Sequence, residues 1–228
     1  SVIATQIHQL LAARAQDLLG PDQVRDLIDH LRARHGQLIE TITPQPLSLA
    51  AVTRLLKALL ADGISLRHGL RVFSSISLAA QQTADHDRLI DIVRADLGAM
   101  IVAEVCPPDA KLPVLTLAAA LEDMVVSGLQ DPASGEILIE PDLARSIGER
   151  IAAILSERDP AATRPALIVQ PRARRALSAL LRLRAPQCIV LSINELPAAQ
   201  PIEVIAVIGD EAPAQPAQLG HEMEALAA

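Results

Sequence analysis

Apolar positions fall three or four residues apart through the first hundred residues, then give way to short solid runs. Ile3, Ile7, Leu10 and Leu11 keep helical spacing, as do Val24, Leu27, Ile28 and Leu31 after Gly20-Pro21-Asp22. Leu49, Val52, Leu55, Leu56, Leu59 and Leu60 form an almost unbroken stripe, which predicts a helix with one buried face. Ser48 stands where its N-cap belongs, and Gly63 where positive φ would end it. Ser65 is placed to cap a helix carrying Leu66, Leu70, Phe73 and Ile76, so Gly63 and Ser65 together predict a rigid structural turn. Asp85 would cap the next helix, with Leu89, Val93, Leu97 and Met100 turned inward. Connections this short predict a compact bundle.

The period changes at Cys106-Pro107-Pro108. Runs at 114–117, 137–139, 166–169, 188–191 and 202–208 read as strands, alternating with helical stretches near 118–130, 142–157 and 172–184. The predicted fold class is therefore α + α/β, a helical bundle subdomain over 20–105 followed by a small α/β subdomain over 106–209. Residues 210–228 are rich in Pro, Ala and acids without apolar period, which predicts a disordered tail.

Composition narrows the chemistry. Half of the 228 residues are apolar, yet Trp and Tyr are absent and Phe73 is the one aromatic, so Leu, Ile, Val and Ala must build the core. A net charge of −7 and missing aromatics argue against nucleic acid, whose binding needs a basic surface and stacking platforms. No apolar run reaches the ~18–20 residues of a membrane helix. The start at Ser1-Val2-Ile3 carries no Met and no basic leader, and reads as a cut inside a longer chain. Cys106 and Cys188 lack metal-type spacing and read as buried reduced thiols.

No constellation proposes an enzyme. His30 and His35 are not an i,i+4 ligand pair, and no metal or cofactor set completes around them. Asp85, His86 and Asp87 sit at a helix start, where carboxylates favour the macrodipole. Glu122 and Asp123 point to different azimuths of one helix, and neither a phosphate loop nor a Gly-x-Ser-x-Gly elbow occurs. The charge feature that stands out is basic: 160–194 hold six Arg and no acid. At about 100° per residue, Arg172, Arg174, Arg175 and Arg182 share one broad face, a candidate partner contact, opposite Ala173, Ala176, Leu177, Leu180 and Leu183.

Several segments resemble a known family when taken in order: Leu19-Gly20-Pro21-Asp22-Gln23-Val24, Gly63-Ile64-Ser65-Leu66-Arg67, and Asp85-His86-Asp87-Arg88-Leu89 with Ile92-Val93-Arg94. Gly135-Glu136-Ile137-Leu138-Ile139-Glu140-Pro141, Pro165–Val169, and Val190-Leu191-Ser192 with Glu195-Leu196-Pro197 continue the succession. The chain resembles the cytoplasmic C-terminal domain of the large export-gate protein of type III secretion systems, flagellar or injectisome. Pro21, Gly69, Ser74 and Ile92 depart from the family pattern. The resemblance implies a nonameric ring of copies beneath the inner-membrane export channel, in the cytoplasm, with membrane contact only through an N-terminal part missing here. It implies that export chaperones with their secreted substrates, and the export ATPase complex, are the partners. Residues 1–19 would then be a connecting helix from the preceding subdomain. Without the resemblance, the alternative is a small-molecule-binding α/β regulatory domain with its ligand at the strand carboxyl ends.

Overall fold

The computed structural model describes residues 15–128, 139–159 and 162–209, and the chain divides into two compact units. The first holds residues up to Lys111 together with Ser192–Pro201; the second holds Leu112–Leu191 and the chain from Ile202 onward. The predicted helix over Ile3–Leu11, most of the 1–19 connection, and the 210–228 tail lie outside the described residues.

The first unit is helical. After a short turn of helix, α1 (Ala15–Leu18), come α2 (Pro21–Glu40), α3 (Leu49–Ala61), α4 (Gly69–Ala80), α5 (His86–Asp96) and α6 (Gly98–Ala103). Val52, Leu55, Leu56 and Leu59 of α3 are fully buried, as are Val72 and Ile76 of α4 and Val93 of α5. These stripes face one another, because α3 packs on α2 and α5 while α4 packs on the same two. Helix ends are closed by side chains: Ser48 accepts from the Ala51 amide at 3.2 Å and Asp85 from the Arg88 amide at 2.8 Å. Gln23 Oε1 accepts from the Gly20 amide at 2.9 Å at the start of α2.

Gly63 follows α3 with φ of +78°, a region that a Cβ disfavours. Ser65 accepts from the Arg67 amide at 3.3 Å, but what it opens is a 3-10 turn, Leu66–His68, before α4 starts at Gly69. Leu66 and Leu70 therefore leave the inward stripe, and Leu70 is exposed. The single helix expected from Asp85 past Met100 is two, broken at Leu97 (φ −86°, ψ 1°), and Met100 sits on α6, partly buried.

The second unit is a four-stranded sheet of β1 (Leu112–Leu117), β2 (Ala166–Val169), β3 (Ile189–Ser192) and β4 (Ile202–Ile208), in the order β3-β2-β1-β4. β1 runs parallel to both neighbours. Parallel pairing needs long crossovers, which α7 (Ala119–Gly128), α8 (Pro141–Ser156) and α9 (Pro171–Arg184) occupy. Central β1 reads as a near-continuous apolar run, as a strand buried on both faces should. It begins two residues before the predicted start, because pairing with β4 already opens at Leu112 opposite Ile202, whereas the ladder with β2 starts at Val114. The expected strand at 137–139 is not confirmed: 137 and 138 lie outside the described residues, and Ile139 is coil packed on the core. Leu115, Ile151, Leu167, Ala173 and Leu177 are fully buried at the centre of this unit.

Two stability predictions follow. Gly63→Val forces a β-branched residue into positive φ and should lower unfolding free energy by about 1 kcal/mol or more; an unchanged urea midpoint would contradict the strain. Cys188 is buried behind β3, and that burial, only partly countered by the Leu167 backbone and Arg164, pushes its thiol up to about 12 from 9.0. The neutral thiol's contribution is fully present below pH 9 and is lost as pH climbs toward 12, because the unfolded chain ionises first. Tyr is absent and Lys is limited to Lys57 and Lys111, so few other groups titrate in that window. Denaturation midpoints should fall across it, and fall less for Cys188→Ala; equal slopes would refute the assignment.

Candidate functional site

Arg94 lies on the inward side of α5, four residues after buried Ile90, and its side chain is only 1% exposed. A guanidinium cannot stay charged there without partners. Its Nε donates to Glu195 Oε1 at 3.0 Å and its Nη2 to Glu195 Oε2 at 2.6 Å, a bidentate pair. Nη1 donates to Asp62 Oδ2 at 3.0 Å, and Asp62 is the C-cap residue of α3. Ser192 Oγ donates to Glu195 Oε1 at 3.1 Å. Burial works against the charge of Arg94, and the hydrogen-bonded Glu195 carboxylate, with Asp62 and Asp91, more than offsets it, so its pKa is raised.

Glu195 comes from the short 3-10 turn Ile193–Glu195, which packs against α5 and α6. A Cβ on Gly98 would sit 2.1 Å from the Glu195 carbonyl oxygen, so only glycine fits at the first position of α6. That contact accounts for the helix break at Leu97: the chain must turn there to let the Glu195 backbone in. It is also why Ser192–Pro201 groups with the helices although the sequence pattern assigns it to the α/β part. Gln200 secures the far end, its Nε2 donating to the Ala110 carbonyl at 2.8 Å. With both Glu195 oxygens engaged, the cluster offers no open base or nucleophile; its chemistry is to fix a segment in place.

The arginines singled out from sequence do not stay together. On α9 Arg172 and Arg182 are exposed and Arg175 is half-buried, but Arg174 is 1% exposed. Arg174 lies about 200° round from Arg172, next to buried Leu177 and Leu181, and the broad face assumed for it was too broad. Leu183, expected inward, is 88% exposed, because it falls only about 20° from Arg172. Arg184 instead lies across α8, its Cδ 2.5 Å from where a Gly148 Cβ would be. At the carboxyl end of β2, the amide of Gln170 is taken by Glu122 Oε1 at 2.7 Å. The spot where an α/β domain would hold an anionic ligand is thus filled by the chain's own carboxylate. Among the described residues, no three His, Cys, Asp or Glu gather to hold a metal ion, and no helix is long and apolar enough to cross a membrane.

A helical unit, with a buried ion pair holding the segment that returns from a small parallel sheet, defines an α + α/β protein. The sequence matches the FHIPEP family over residues 1–200, and the chain belongs to that family. It is similar to the flagellar biosynthesis protein FlhA of Bacillus subtilis, 30% identical over 209 residues, which cover 91% of this chain and 31% of that protein. The chain thus spans less than a third of that relative's length. Its fold is similar to a chain of the Chlamydia pneumoniae CdsV and CdsO protein complex (TM-score 0.80, 21% identity, 90% of this chain and 61% of that one). It is likewise similar to the nonameric EscV cytosolic domain from the type III secretion system (TM-score 0.74, 20% identity, 91% and 61%).

Arg94→Met should cost about 3–5 kcal/mol, because it leaves buried carboxylates unpaired, whereas Arg94→Met with Glu195→Leu should recover much of that loss. Additive losses in urea unfolding of the two single and the double variants would contradict direct coupling.

Proposed function

We propose that the chain is part of the cytoplasmic domain of a type III protein export gate, without catalytic activity of its own. It forms a ring with other copies, docks export chaperones carrying their substrates, receives the export ATPase complex, and takes part in ordered secretion. The first unit serves as the helical subdomain and the second as the α/β subdomain, with the first residues arriving from a preceding subdomain. The observation that carries this reading is the family match over residues 1–200. Three of its ordered segments, one starting beside Asp62, one ending at Arg94 and one containing Glu195, meet at one buried cluster. A nonameric relative of the same fold supports the ring. Attachment to the inner membrane is assigned to the remainder of a longer protein, consistent with the share of the relatives that the chain spans.

Deleting the full-length gene and complementing it tests this. Secretion of type III substrates should cease on deletion and return with the wild-type gene, but not with Arg94→Met at matched protein level. The full-length protein should show ninefold rings by electron microscopy. Secretion that continues undiminished in the deletion strain would overturn the assignment.

A further inference from the structure

The exposed side of α9 is built unlike a solvated helix face. Arg172, Arg175, Ala179, Arg182 and Leu183 fall within an arc of about 100°. Arg172, Arg174 and Arg175 crowd the opening turns, which carry no acid, at the end where the macrodipole disfavours positive charge. Leu183, 88% exposed, stands at one edge of that arc, about 20° beyond Arg172 and directly after Arg182 in sequence. The stripe runs about 15 Å along the helix axis from Arg172 to Arg182.

We propose that this stripe docks an acidic amphipathic helix of a partner protein, its carboxylates against the exposed Arg172 and Arg182 and an apolar side chain against Leu183. Charge complementarity selects the occupant. A membrane or nucleic acid extends far beyond the stripe and meets the repulsion of a chain with net charge −7. A short acidic segment touches little beyond the arginines, within a Debye length of about 8–10 Å. An exposed leucine at the edge of the arginine arc gives the mixed polar and apolar contact of protein interfaces. The inference rests on the reading of the chain as a docking module of the export gate and names the chemistry of one of its partners.

The test is fluorescence anisotropy of the purified chain with a labelled synthetic helix bearing Glu and Leu at heptad spacing. The same helix with Lys for Glu, phosphatidylcholine–phosphatidylglycerol vesicles and an oligo-dT strand serve as competing probes. The acidic helix should bind. Arg172→Glu with Arg182→Glu should weaken it about tenfold, Leu183→Ser should weaken it at unchanged charge, and added salt should act on wild type more than on the double variant. Melting temperatures of the variants should stay within a few degrees of wild type, since Arg172→Glu suits the helix start. No binding, binding indifferent to both variants, vesicles or oligo-dT bound through the same residues, or self-association through them would each overturn the proposal. A gene that complements secretion while its protein ignores the acidic helix defeats the stripe and leaves the export reading standing.

Discussion

The Arg94–Glu195 pair joins residues 101 apart in sequence and excludes water from both charges. Each member would be strongly unfavourable there alone, so the positions of α5, the C-terminal end of α3 and the Ile193–Glu195 turn are set together. Gly98 belongs to the same constraint: its missing side chain leaves room for the Glu195 carbonyl, and α5 ends at Asp96, two residues earlier, to allow that approach. The consequence is topological. The chain leaves the sheet after β3, is bound to the helical unit through Ser192–Pro201, and returns to form β4.

Much of this fold was legible because burial follows period. The stripe from Val52 to Leu59 and the solid runs of β1 and β2 each announce their element, while the equally apolar run of β4 lies at the sheet edge with only Ile208 buried. Ser48, Asp85 and Gly63 carry local signals that operate through one or two hydrogen bonds or one dihedral angle. The cluster was less legible. Arg94 and Glu195 both stand in family-like segments, yet nothing local pairs them. The available signal was a charged residue in register with Ile90 on an apolar face. The arginines of α9 fail differently: a face counted too wide admitted Arg174, which the core takes, and assigned Leu183 to the wrong side.

The two sites have opposite physical characters. Around Arg94, polar groups are buried and mutually satisfied, so they position backbone and resist change. On α9, Arg172, Arg182 and Leu183 face outward on an element whose other side fills the core with Ala173, Leu177 and Leu181. The proposed docking would draw on both, a scaffold fixed by interior pairs and charged groups presented on the outer side of a helix.

The central claim is that Glu195 holds Ser192–Pro201 on the helical unit through Arg94. Amide hydrogen exchange of Glu195→Gln against wild type, under conditions where both are folded, tests it most directly. Protection should fall across 192–201 and at the Leu97–Gly98 break, while the α3 and β1 amides keep theirs. Unchanged exchange in 192–201 would show that the segment is held by something else.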